Sequence, residues 1–238
     1  MSIAYEYTDT VRYSKVDGEL KLTIPALIDY FQDAAIEQSE SLGVGAVALT
    51  ARSLAWFLIS WDIRIRRLPK LQERIVVGTY PYHFRGMLGN RAVYMKTEDG
   101  ELLAEGDAQW AMMDTANMRM TRVPDDVAAS YTLGDGPLFE ARGRRISVPD
   151  GGHVFPSVPV QEYMLDNNGH VNNGQFVHLA MSYVPAGADV REFRVEYKKQ
   201  ARLGESITSI VSTEDGRTVV VLATDEPACI SEIRNENK

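Results

Sequence analysis

Three side chains suited to proton transfer and hydrogen bonding crowd into one short run. Asp166, Asn168 and His170 lie inside LDNNGHVNN, residues 165–173. Histidine has the ordinary pKa best placed to take a proton near neutrality. A carboxylate beside it can orient it or share that task, and a carboxamide can donate to a carbonyl oxygen or hold a water. Together they suit base-assisted attack of water on an activated carbonyl. The same letters also suit a plain turn. Asn, Asp and Gly tolerate left-handed backbone and bond their own main chain. Asn172 or Asn173 is a good N-cap for the helical spacing of GQFVHLAMSYV that follows. One detail strains the plain turn: Asp166, Asn168, His170 and Asn172 fall on alternate positions, which an extended segment would aim one way.

The elements that position this run occur twice. Asp17 falls on Asp166 at an offset of 149 residues (166 − 17), and Val11, Leu22, Leu27 and Ile28 then meet Val160, Val171, Phe176 and Val177. The first helix is expected over 25–42, with Pro25 near its start, Gly43 past its end and an apolar stripe of Leu27, Tyr30, Phe31, Ala34 and Ala35. Strands are expected over 54–66, where Trp61, Ile63 and Ile65 alternate, and over 74–81, 91–97 and 102–113. The second copy reads as strands over 192–199, 206–213, 218–224 and 228–234. There the offset drops to 132 (205 − 73), placing Glu73 on Glu205, as a shortened loop allows. Each half is thus an α+β unit whose sheet wraps its apolar face around a helix. The intervening stretch, with DGPLFEARGRR and PDGG, reads as a linker. In the first copy Glu19, Lys21 and Thr23 stand where the second has Asn168, His170 and Asn172. The polar set of the second copy is therefore surplus to folding and points to chemistry.

Bulk properties narrow the class. The 238 residues are 45% hydrophobic and 24% charged, with a formal net charge of −8. That balance argues against a nucleic-acid partner. No apolar run is long enough to span a membrane, and the N-terminal residues lack the apolar segment of a signal peptide. With a single cysteine, Cys229, the expectation is a cytoplasmic protein. His170 and His178 are eight residues apart but lack companion ligands, so neither a metal nor a cofactor is expected. Trp110, Met112, Met113, Met118 and Met120 suit either an apolar core or the lining of a tunnel.

Several stretches carry a family resemblance. LTIPALIDYFQDAA, WAMMDTANMRMTRVPDDV, LDNNGHVNN and VEYKKQA together resemble the acyl-ACP thioesterases of the plant and bacterial type. The resemblance covers nearly the whole chain. It implies a double hotdog, two antiparallel sheets each wrapped around a central helix and packed as a pseudo-dimer. The N-terminal hotdog would take residues 1–134, a linker 135–158 and the C-terminal hotdog 159–238. It further implies hydrolysis of fatty acyl thioesters on acyl carrier protein, with Asp166, Asn168 and His170 at the catalytic positions. The chain departs from the better-known plant members on the facing strand, where Gln200 and Ala201 replace Glu-Cys.

A thioester carbonyl needs a nucleophile, a base and oxyanion donors. The chain has no Gly-x-Ser-x-Gly elbow, and Cys229, far along the chain, reads as a small buried hydrophobe. Water is then the nucleophile. Asp166 and His170 form the base and its orienting partner, in either order. Asn168 serves carbonyl or water, Gln200 assists, and backbone N–H groups near Asn173 and Gly174 hold the oxyanion.

Acyl carrier protein is acidic, so docking on this acidic chain needs a local basic patch. Arg64, Arg66, Arg67 and Lys70 form one candidate, Lys198, Lys199 and Arg202 another, and Arg142, Arg144 and Arg145 a third; solvated faces explain them equally well. The rivals are an acyl-CoA thioesterase, a hotdog hydratase and a non-enzymatic acyl-thioester-binding regulator. A monomer and a homodimer both fit a tandem duplication.

Overall fold

The computed structural model describes residues 4–166 and 169–235. They form two compact units that divide between Arg142 and Gly143, inside the stretch read as a linker.

The first unit runs β1 (Tyr5–Thr10), α1 (Ile24–Ser41), α2 (Ala46–Thr50), β2 (Leu54–Ile65), β3 (Arg74–Arg85), β4 (Leu88–Thr97), β5 (Leu102–Asp114), β6 (Arg119–Met120) and α3 (Asp125–Ala129). Its strands pair antiparallel in the order β1-β3-β4-β5-β2, with β6 on β5. Helix α1 forms because Thr23 caps its start by accepting from the Ala26 N–H at 3.2 Å, Pro25 sits in its first turn, and its apolar residues recur on one face. That face, Leu27, Tyr30, Phe31, Ala34 and Ala35, is buried as expected. The sheet residues Trp61, Ile63, Val77, Val93 and Ala108 are buried too, and the Phe31 and Trp61 ring centroids lie 6.1 Å apart.

The second unit contains β7 (His153–Val154), β8 (Val158–Pro159), α4 (Asn173–Met181), β9 (Val190–Tyr197), β10 (Ser206–Glu214), β11 (Arg217–Ala223) and β12 (Pro227–Asn235). β7 and β8 edge β10, and the order continues β10-β11-β12-β9, again antiparallel. Helix α4 buries Gly174, Phe176, Val177 and Ala180, and ends before the apolar spacing does. Pro185 disfavours helical backbone at Val184, so the helix stops a turn early.

The sequence repeat is reproduced bond by bond at both offsets. The Val11 N–H donates to the Glu73 carbonyl at 3.0 Å, and Val160 to Glu205 at 2.9 Å. The Leu22 N–H donates to the Pro69 carbonyl and Val171 to Ala201, both at 2.8 Å. The Glu73 carboxylate accepts from the Lys70 N–H at 2.9 Å, and Glu205 from Arg202 at 2.6 Å. Backbone signs repeat as well: Leu20 (φ 59°) matches Gly169 (φ 74°), and Gln72 (φ 68°) matches Gly204 (φ 89°).

Leu20 therefore holds a left-handed position that the second copy gives to glycine, and its side chain is 46% exposed. Leu20→Gly removes the Cβ strain with little packing lost. It is expected to stabilise the chain by about 0.5–1 kcal/mol in a denaturant titration; destabilisation would show that Leu20 packs usefully.

Candidate active site

The turn ahead of α4 is closed by its aspartate. The Asp166 N–H donates to the His170 carbonyl at 2.7 Å, and the His170 N–H donates back to Asp166 Oδ1 at 3.1 Å. Leu165 and Val171 pair across the turn, and Gly169 supplies its left-handed corner. The first copy uses the same device. Asp17 Oδ1 accepts from the Lys21 N–H at 3.0 Å, and the Asp17 N–H donates to the Lys21 carbonyl at 2.8 Å. The polar residues therefore do not alternate along an extended strand. Asp166 turns back on the main chain, Asn172 faces forward to the helix, and His170 turns inward. Asn168 lies outside the described residues.

What differs between the copies is the side chain at the His170 position. Lys21 there makes a surface pair with Glu19, Nζ to Oε2 at 2.8 Å. His170 is only 8% exposed, and its Nδ1 has no hydrogen-bond partner among the described residues. A buried, unpaired imidazole nitrogen costs stability unless another molecule meets it. Burial lowers the pKa of His170 below the ordinary histidine value, and the charge of Arg202 lowers it further; the Asp166 carboxylate opposes both.

Arg202 reaches this position because His170 and Arg202 pair as an isolated bridge, as Lys21 and Lys70 do in the first copy. The sequence reading treated Arg202 only as a docking cation. The two repeat offsets match Lys21 to His170 and Lys70 to Arg202, but that the matched residues sit side by side is seen only in the structure. Gln200 directly precedes Ala201, whose carbonyl receives the Val171 N–H, so the segment carrying Gln200 runs beside the turn.

The helix start contributes less than expected. Asn172 Oδ1 caps α4 by accepting from the Gly174 N–H at 2.8 Å, which removes that donor. The Asn173 N–H is left as the candidate oxyanion donor. Tyr197 at the end of β9 donates to the Asn173 carbonyl at 3.3 Å and ties strand to helix. Cys229 is fully buried on β12, and burial pushes its thiol up to about 12, which suits an inert core position and not a nucleophile. His178 is exposed on α4 while His170 is buried, and the described residues contain no cluster of metal-ligating side chains. Met112 lies in an apolar cluster of the first unit, whereas Met118 and Met120 are exposed.

Most of the candidate docking cations already have partners. Arg67 forks onto Glu73 and Glu101, both at 2.7 Å, and Arg66 lies 3.5 Å from Glu105. Arg64 donates to the Glu140 carbonyl at 3.1 Å and stacks on the Phe139 ring. Lys199 pairs with Asp225, while Lys198 and Arg144 approach Glu196 at 3.9 and 3.8 Å. Arg142 is bound to the buried carboxylate of Asp62 at 2.7 Å. Arg145 is exposed and has no ion pair among the described residues.

A tandem repeat of this topology, with a buried histidine in the second copy where the first has a surface lysine, is matched by known proteins. Residues 3–131 match the model of the acyl-ACP thioesterase N-terminal domain, and residues 153–237 that of the C-terminal domain. The chain belongs to the acyl-ACP thioesterase family. It is 21% identical to an acyl-[acyl-carrier-protein] hydrolase of Cuphea viscosissima, over 90% of this chain and 57% of that protein. It is 23% identical to the oleoyl-acyl carrier protein thioesterase 2 of Arabidopsis thaliana, over 91% of this chain and 65% of that one. The chain thus spans a little over half the length of these curated relatives. An acyl-ACP thioesterase structure from Bacteroides thetaiotaomicron aligns with a TM-score of 0.90 at 18% identity, covering 99% of this chain and 100% of that one. The 12:0-ACP thioesterase of Umbellularia californica gives 0.88 at 17%, covering 100% and 99%. At such identities the structural likeness establishes the fold, an antiparallel α+β architecture of the hotdog kind.

The Arg142–Asp62 pair is a folding contact. Arg142→Ala leaves Asp62 buried without its cation and is expected to cost about 2 kcal/mol in a chemical denaturation curve. The cost is below that of a fully buried pair because the Arg142 side chain is 32% exposed. An unchanged midpoint would refute the assignment.

Proposed function

We propose that this chain hydrolyses fatty acyl thioesters carried on acyl carrier protein, releasing free fatty acid and ending chain elongation. The two units are read as tandem hotdog domains, the second carrying the chemistry. The observation that carries this reading is His170: buried, unpaired at Nδ1 among the described residues, and placed where the first copy needs only a surface lysine.

In the proposed reaction water attacks the thioester carbonyl while His170 takes its proton. The tetrahedral oxyanion is held by the Asn173 N–H at the positive end of α4, with Asn168 donating to the same oxygen or orienting the water. The C–S bond then breaks, the acyl group leaves as the acid, and His170 returns its proton to the thiolate. Asp166 holds the turn that presents His170, since one of its oxygens accepts from the His170 main chain. Gln200 orients water and, being an amide, takes no proton. The lowered pKa of His170 keeps the imidazole neutral at pH 7, the form that accepts a proton. Arg145 and Arg202, exposed and without ion pairs among the described residues, are the cations best placed to receive an acidic carrier protein.

The test is thiol release from matched acyl carrier protein and CoA thioesters of several chain lengths. His170→Ala is expected to lose at least about 100-fold in kcat, Asp166→Asn less, and Cys229→Ala nothing. Arg145→Glu should raise KM for the carrier-protein substrate and leave the CoA ester unchanged. Turnover of CoA esters alone would move the protein to the acyl-CoA thioesterases, and full activity in His170→Ala would remove the mechanism.

The pH profile makes a separate prediction. Activity needs neutral His170, so kcat/KM should fall on acidification with an apparent pKa below the ordinary 6.5. Arg202→Met removes a positive charge and should move that limb upward. An unmoved limb would mean that another group titrates.

A further inference from the structure

The buried face of the first unit contains a full charge with no counter-ion among the described residues. Arg91 lies on β4 beside Val93 and opposite Ala108, on the face of the sheet that meets α1, and is 6% exposed. No carboxylate lies within ion-pair distance of it among the described residues. Its Nη1 donates to Gln38 Oε1 of α1 and, at 3.2 Å, to Thr79 Oγ1. The guanidinium also lies over the Tyr131 ring, 5.5 Å from its centroid. The Tyr131 hydroxyl is committed to Ser39 Oγ at 2.7 Å, and Ser39 passes the bond to the Ala35 carbonyl at 2.9 Å. All these partners are neutral. Burial holds the guanidinium down at about 10, against the opposing effect of Tyr131.

An aromatic ladder leads to this charge. Trp56 and Phe84, both only partly buried, stack with centroids 6.0 Å apart, and Phe84 meets Tyr131 at 5.5 Å. Gly89 keeps the ladder against the sheet, since a Cβ there would come within 2.9 Å of Phe84 and 3.2 Å of Trp56. Around it pack Val44, Leu49, Met112, Val123 and Val127. An apolar cluster that ends on an uncompensated guanidinium has the chemistry of a site for an aliphatic chain bearing an anionic oxygen group. Folding alone favours an apolar residue there, because a buried charge without an anion is costly. A planar, forked cation is the natural complement of a carboxylate.

We propose that the first unit binds an aliphatic carboxylate, with the carboxylate on Arg91 and the chain along the Trp56–Phe84–Tyr131 ladder. The ligand is either a free fatty acid or the second carboxyl group of an ω-carboxyacyl thioester. This goes beyond the hydrolase reading, because it concerns a group remote from the thioester.

The experiment uses the full chain. Titration calorimetry compares dodecanoate with its methyl ester in wild type and Arg91→Met. Wild type is expected to bind the carboxylate at least about tenfold more tightly than the ester, and Arg91→Met to bring the two together. A second arm compares kcat/KM for ω-carboxyacyl and plain acyl carrier protein thioesters of equal length. An Arg91-dependent preference in either arm supports the site; the first identifies the free acid as its ligand and the second a dicarboxylic substrate. Carboxylate binding that survives in Arg91→Met, or no discrimination in either arm, overturns it. Should Arg91→Met fail to fold, Arg91→Lys keeps the charge without the fork and is expected to retain only part of the discrimination; full retention would count against the site. A wild type that hydrolyses no thioester yet discriminates in calorimetry would sink the hydrolase reading and leave this one standing.

Discussion

In each unit the carboxylate of one aspartate accepts the main-chain N–H four residues ahead, Asp17 from Lys21 and Asp166 from His170. This bond closes the hairpin that precedes the helix, and much of the molecule rests on it. The closed hairpin presents the next N–H, of Leu22 or Val171, to a carbonyl of the segment that follows the long strand. Helix, hairpin and strand connection are thereby locked in one arrangement. The residue four after the aspartate is fixed in place by its main chain, which leaves its side chain free to vary. A change of side chain at that position does not disturb the scaffold: a lysine there makes a surface pair, and a histidine there is buried.

Charge is used in two ways. Some cations are consumed in folding: Arg142 neutralises Asp62, Arg144 approaches Glu196, and Arg194 on β9 donates to the Gly143 carbonyl at 2.6 Å while facing Glu232. These contacts hold irregular chain against sheet and give the buried carboxylates of the strands cationic partners. Among the described residues Arg145 and Arg202 on the surface and Arg91 inside are cations without an ion pair. Arg202 influences the histidine beside it through its field. Arg91 sits among neutral acceptors in a setting that suits an anion supplied from outside.

Much of this was legible in the amino-acid sequence. Alternation marked Trp61, Ile63 and Ile65 as one buried face, and helical spacing marked Leu27, Tyr30, Phe31, Ala34 and Ala35 as another, because burial demands the period of the element. Comparing the two copies set Asn168, His170 and Asn172 apart as surplus to folding; of these Asn172 instead serves folding as the cap of α4. The offsets equated Lys70 with Arg202 and Lys21 with His170, but only the structure set each cation against its turn.

The sequence by itself determined local periods, turn chemistry and the duplication, since each depends on neighbours within a few residues or on direct comparison of two strings. Tertiary structure alone decided which polar groups are spent and which remain. Whether Arg142 is a docking cation or the partner of Asp62 depends on a contact across 80 residues. Whether Gly174 can hold an oxyanion depends on where the Asn172 side chain turns. Whether Arg91 is neutralised depends on which faces of α1, β3 and β4 meet. Availability of a hydrogen bond or a charge is a property of three-dimensional surroundings, and a one-dimensional pattern does not encode it.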